Sequence, residues 1–143
     1  MSKDLKIATI LPYKENYTFN KAQAAAIWVC DFYKFSKFKN QNYIFGNTKG
    51  KDYLTKNYIN INISNLKSKF SSSTNEYCKN FIKKTQNINF DIIEIHNRPL
   101  VFNFLKNEIN TKYIMYFHND PLSMNGSKTS NERLKLLDEI DKI

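Results

Sequence analysis

The sequence predicts an α/β domain: a mostly parallel sheet with helices on both faces. Three observations carry this. Short apolar runs recur along the chain, each too short for a helix and closed by turn-forming residues. Stretches with helical spacing separate most of them. The order is strand, helix, strand, strand, helix, strand, helix, strand, helix, which implies parallel strands joined by crossover helices. The 143 residues fit one domain, since domains cluster around ~100–150 residues. A chain this long can bury a core without staples.

Leu5–Leu11 is an apolar run stopped by Pro12, the length of a buried strand. Tyr13–Phe19 is a polar loop. Asn20 and Gln23 have capping-box spacing, with Asn in place of Ser or Thr. They open a helix over Lys21–Phe38, in which Ile27, Trp28, Val29, Phe32 and Phe35 make one apolar side. Tyr43–Gly46 is a second short strand, and residues 47–57 are a Lys-rich surface loop. Tyr58–Ile63 alternates Ile with Asn, the period of a half-exposed or edge strand. Asn65–Thr74, with four Ser, reads as loop. Asn75–Thr85 reads as helix, with Tyr77, Cys78, Phe81 and Ile82 inward. Phe90–Ile95 is a strand ending at His96-Asn97-Arg98-Pro99, followed by a helix over Leu100–Asn110. Lys112–Phe117 is a strand ending at His118-Asn119-Asp120-Pro121. A loop with Gly126 leads to the capping box Thr129-x-x-Glu132 and a helix through Leu134, Leu136 and Leu137. Asp141–Ile143 starts one more strand.

Composition excludes several classes. Two cysteines, Cys30 and Cys78, are too few for a disulfide scaffold, and no CxxC or Cys/His cluster marks a zinc site. No apolar run approaches the ~20 residues of a membrane span, and no basic start with an apolar core marks a signal peptide. A cytoplasmic protein with reduced thiols is expected. The net charge of +9 resembles a nucleic-acid signal. However, the chain holds 20 Lys against 2 Arg, with 20 Asn and 16 Ile, the residues of A/T-rich codons. Arg, whose planar fork reads guanine and phosphate, is nearly absent. The charge is therefore read as compositional drift, and no nucleic-acid partner is expected. Asp31–Asn40 interleaves lysines with aromatics. That pattern suits an anionic membrane surface. It equally suits a helix end with aromatics inward and lysines on the C-terminal dipole, which is the reading preferred.

Open parallel sheets bind ligands at the carboxyl ends of their strands. Both histidines fall directly after predicted strands, each followed three residues later by Pro. One such loop is an ordinary turn; two matched loops on one sheet edge point to a site. His96, Asn97, Asn119 and Asp120 offer donors and acceptors at short reach, suited to sugar hydroxyls. Arg98 can clamp an anion with two hydrogen bonds. The loop after the first strand adds Lys14 and Asn16. The helix start near Asn20, flanked by Lys14 and Lys21, could seat a phosphate without glycine, although a solvated polar loop is preferred. His96, His118 and Asp120 could supply three metal ligands, but no short-range ligand pair such as HxxxH is present, so no metal site is expected.

The run Asp91–Pro99, then Tyr116–Pro121, then Met124-x-Gly126-Ser127-Lys128-Thr129 with Glu132-Arg133, Leu136-Leu137 and Asp141–Ile143, resembles the N-terminal domain of family 4 retaining glycosyltransferases of the GT-B fold. Ile10-Leu11-Pro12 and the Ala-rich helix also fit. The resemblance is strong over 90–143 and loose over 47–85. It implies a Rossmann-like three-layer sandwich, single-domain here, forming the acceptor-side half of such an enzyme. It implies transfer of a sugar from a nucleotide-sugar to a saccharide or lipid-linked acceptor in polysaccharide or lipopolysaccharide assembly. No metal or other cofactor is implied, the nucleotide-sugar being a co-substrate. His118 would be catalytic, facing the donor sugar; His96, Asn97 and Arg98 would shape the acceptor side, and Asp120 would orient its loop. Family members often carry glycines after the first strand, where this chain has Tyr13–Phe19. They continue into a C-terminal donor-binding domain, so this chain alone is expected to be silent. Peripheral contact with the inner membrane face fits a lipid-linked acceptor. The rival expectation is a stand-alone module that binds a sugar phosphate or nucleotide without catalysis.

Overall fold

The computed structural model describes residues 4–64 and 72–143. Five strands form one all-parallel sheet in the order β3-β2-β1-β4-β5: β1 Ile7–Ile10, β2 Asn42–Gly46, β3 Tyr58–Asn60, β4 Ile92–His96 and β5 Lys112–Tyr116. β1 lies at the centre, with Ile7 opposite both Asn42 and Ile92. Among the described residues there are four α-helices, α1 Ala24–Phe35, α2 Ser73–Thr85 and α3 Pro99–Leu105 between strands and α4 Ser130–Glu139 after β5. Alternate strand residues point to opposite faces. Ala8, Ile10, Phe45, Ile93, Ile95, Tyr113 and Met115 pack in one core with Tyr77 and Phe81 of α2, Phe102 of α3 and Leu136 of α4. The opposite face packs Ile44 and Tyr58 against Ala26, Val29 and Cys30 of α1. The α/β, Rossmann-like expectation holds.

Most elements lie where expected, within two or three residues. Ser73 and Thr74 are already helical, so α2 starts earlier than the sequence suggested, and residues 65–71 of the expected loop lie outside the described residues. α3 stops at Leu105 rather than Asn110. The chain then winds through turns, with Glu108 and Ile109 N–H both donating to the Leu105 carbonyl. α4 carries the expected capping box between Thr129 and Glu132. Leu134 and Leu137 are exposed, however, and only Leu136 of that helix is buried. Lys142 pairs in parallel with Ile114, and its carbonyl accepts from Met115 N–H at 2.9 Å, as a strand beside β5 would.

Two expectations for α1 fail. Its inward side is Ala25, Ala26, Val29 and Cys30; Ile27, Trp28, Phe32 and Phe35 are exposed. The small side chains let the helix lie close on the sheet, and the large ones occupy the other side. Asn20 and Gln23 form no capping box either. Gln23 stands at the cap without a side-chain bond, and Glu15 Oε2 accepts from Ala26 N–H at 3.1 Å instead. A carboxylate arriving from the preceding loop satisfies the first turn and its positive dipole end. No helix among the described residues is long and apolar enough to cross a membrane.

Candidate functional site

All strands point the same way, so their carboxyl ends share one edge. The chain leaves β1 toward β2 and leaves β4 toward β5. Connections therefore diverge between β1 and β4 and open a crevice there. A cleft of about 480 Å³ occupies that edge. Tyr13 and Lys14 from the β1 loop, Asn97 and Arg98 from the β4 loop, and Asn119 from the β5 loop line it. Thr74 of α2 and Ser123 to Asn125 close its far side.

Backbone geometry holds these loops together. Asn97 has φ 53°, the left-handed region that Asn tolerates better than most residues. Its N–H donates to the Tyr116 carbonyl at 2.8 Å, and its Oδ1 accepts from His118 N–H at 2.7 Å. One residue thus fastens the β4 loop to the β5 loop. Arg98 lies over the Tyr13 ring at 5.5 Å and donates through Nη1 to the Asn97 carbonyl at 3.2 Å. Its buried Nε has no hydrogen-bond partner among the described residues. Asp120 Oδ1 accepts from Leu122 N–H at 2.9 Å and caps the turn Pro121–Ser123. Gly126, at φ 94°, lets the following loop close on the start of α3. A Cβ there would lie 3.0 Å from Pro99 Cβ and 3.2 Å from Leu100 N.

The two histidines meet. His96 Nδ1 and His118 Nε2 are 2.7 Å apart, with the rings stacked at 12°. His96 is fully buried, stacked on Tyr116 and approached by Trp28. Burial first, and the neighbouring His118 second, push His96 down to about 3. Burial also lowers His118. Both rings are therefore neutral near pH 7 and share one proton in their contact. His96 Nε2 is buried without a partner among the described residues. A bare acceptor there is cheaper than an orphaned N–H. The proton between the rings therefore belongs to His96 Nδ1, which donates to His118 Nε2. His118 then carries its own proton on Nδ1, as a donor for solvent or a ligand. Trp28, 5.4 Å from the His118 ring and stacked on Phe32, covers this pair.

No protein-family model matches the chain, and no curated protein matches it. What this site can do must come from its own groups.

The structure brings together Lys14, Asn97, Arg98 and Asn119 in one cleft; His118 does not line it, being tied to it through the Asn97 bond to its N–H while its ring lies against Trp28. His96 is enclosed and reaches outward only through His118. Asp120 turns to its own loop and does not join the imidazoles; among the described residues no three His, Cys, Asp or Glu could hold a metal. Asn16 is drawn aside, its Oδ1 accepting from Lys49 N–H at 3.0 Å. The phosphate seat at the start of α1 is already taken by Glu15, whose carboxyl is raised by burial against the opposing effects of the Ala26 bond and the Arg98 charge. Tyr13 and Trp28 were missed. Tyr13 sits beside Lys14 in the same strand-end loop, which was a usable signal. The apolar spacing of α1 gave no signal that Trp28 lies outward, against the two histidine rings.

Proposed function

We propose that this chain is the acceptor-side domain of a retaining glycosyltransferase of the hexosyltransferase type, acting in cell-envelope polysaccharide synthesis. One observation carries the reading: two cations, Lys14 and Arg98, line a single cleft with Asn97 and Asn119, and Asn97 bonds the loop that carries His118. Sugars are bound by short-reach donors and acceptors, and their phosphates or carboxylates by fixed cations. Asn97, Arg98 and Asn119 shape the acceptor side, and Lys14 adds charge. His118, held in its tautomer by His96, donates Nδ1–H to the donor sugar and steadies it as the glycosidic bond breaks. The nucleotide-sugar is a co-substrate whose nucleotide would be held by a further domain.

The test is transfer by the intact enzyme. His118→Ala should lower kcat on the order of a hundred-fold, the usual loss for one preorganised donor, and change acceptor affinity far less. A stand-alone module for sugar phosphates would show binding that depends on Arg98 and no turnover in any form. Robust transfer by this 143-residue chain alone would contradict the division of labour proposed.

A further inference from the structure

α1 is built the reverse of an ordinary surface helix. Its inward side is small (Ala25, Ala26, Val29, Cys30), and its outward side carries Ile27, Trp28, Phe32 and Phe35. Phe35 is 89% exposed and Phe32 47%. Phe38, in the turn beyond the helix, is exposed as well. Lys34, Lys37 and Lys39 stand among them, all exposed, against a single acid, Asp31, which lies 3.7 Å from Lys34. Lys37 Nζ sits 5.0 Å above the Phe38 ring. Scattered apolar side chains on a surface need no explanation, but a contiguous set on one element marks a contact surface.

The residue types select the partner. Cores of protein–protein interfaces are depleted of lysine. An anionic bilayer favours aromatics and lysines together: the rings enter the acyl boundary, while the lysine stems lie along apolar surface and lift their charges to the headgroups. We propose that the outward face of α1 and the turn after it, Trp28 to Lys39, is a docking surface for an anionic lipid bilayer. At its Trp28 end this surface borders the His96–His118 pair, while Phe35, Lys37, Phe38 and Lys39 lie outside the cleft lining. It also replaces the sequence reading that turned these aromatics inward.

The experiment is co-sedimentation of the whole chain with two vesicle types: phosphatidylcholine alone, and equal parts phosphatidylcholine and phosphatidylglycerol. Trp28, the sole tryptophan, reports insertion as a blue shift of its emission. The chain should bind the anionic vesicles, bind phosphatidylcholine weakly, and release as salt is raised. The double variant Phe35→Ser, Phe38→Ser should lower partitioning about ten-fold or more. Each of Lys37→Ala and Lys39→Ala should lower it about five-fold. These positions are exposed, so circular dichroism should show the variants folded. The proposal is overturned if the chain ignores anionic vesicles, or if folded variants bind as well as the parent. It is also overturned if sedimentation analysis shows an oligomer that Phe35→Ser dissolves, since the face would then join copies of the chain.

Discussion

Acidification should destabilise this protein through His96. The ring is fully buried, and its folded pKa is about 3 against an ordinary 6.5. Between those values the unfolded chain binds a proton that the folded chain refuses. Stability from this group is complete above the ordinary value and is lost as pH falls toward the folded one. At about pH 4.5 the loss amounts to roughly 2–3 kcal/mol, from about two pH units at 1.36 kcal/mol each. Glu15 and Glu94 act in the opposite sense. Burial raises both, so their folded forms bind protons first and gain stability as pH falls through their raised values toward the ordinary carboxylate range. The contribution of His96 must therefore be read as a difference between two proteins. His96→Phe keeps the ring and its stacking on Tyr116 but cannot titrate. Urea unfolding followed by circular dichroism, at about pH 7 and about pH 4.5, should show the parent losing roughly 2–3 kcal/mol more than the variant. Equal losses in both would refute the burial argument and with it the assigned tautomer.

Trp28 emission should fall as pH drops through a midpoint below 6.5, because protonated imidazole quenches indole and the His118 ring lies 5.4 Å away; His118→Gln should abolish the titration. Gly126→Ala should cost about 1–3 kcal/mol in denaturant unfolding, from left-handed strain and the approach to Pro99; an unchanged midpoint would contradict the close approach. Cys30 and Cys78 should resist a disulfide-exchange reagent until the protein unfolds, since both are buried and burial pushes the Cys78 thiol up to about 12.

The sheet was legible because buried parallel strands have a plain signature. Leu5–Leu11, Phe90–Ile95 and Lys112–Phe117 are apolar runs of strand length, and each ends at a residue that stops it. The strand-end loops were legible for the same reason: two histidines near the ends of two strands lie on one edge once the strands are parallel, although His96 proves to be the last residue of β4 and His118 lies two residues beyond β5. The orientation of α1 was not. Both of its sides are apolar, so periodicity gives no preference. Side-chain size decides, and only the closeness of helix to sheet reveals that Ala25, Ala26, Val29 and Cys30 must face inward. The cap of α1 was hidden because Glu15 reaches Ala26 across eleven residues, beyond any local motif. The contact between His96 and His118 depends on the positive φ of Asn97 and its bond to His118 N–H. In the ladder His96 stands opposite Tyr116, so strand register alone does not pair the two rings.

The proposed function rests on Lys14, Asn97, Arg98 and Asn119 acting as one anion- and sugar-binding cleft. Its most direct test is an amide NMR titration of the isotope-labelled chain with glucose 1-phosphate. Saturable shifts at Lys14, Asn97, Arg98 and Asn119, lost in Arg98→Ala, are the predicted result. No shifts at these residues, or shifts that survive Arg98→Ala unchanged, would contradict it.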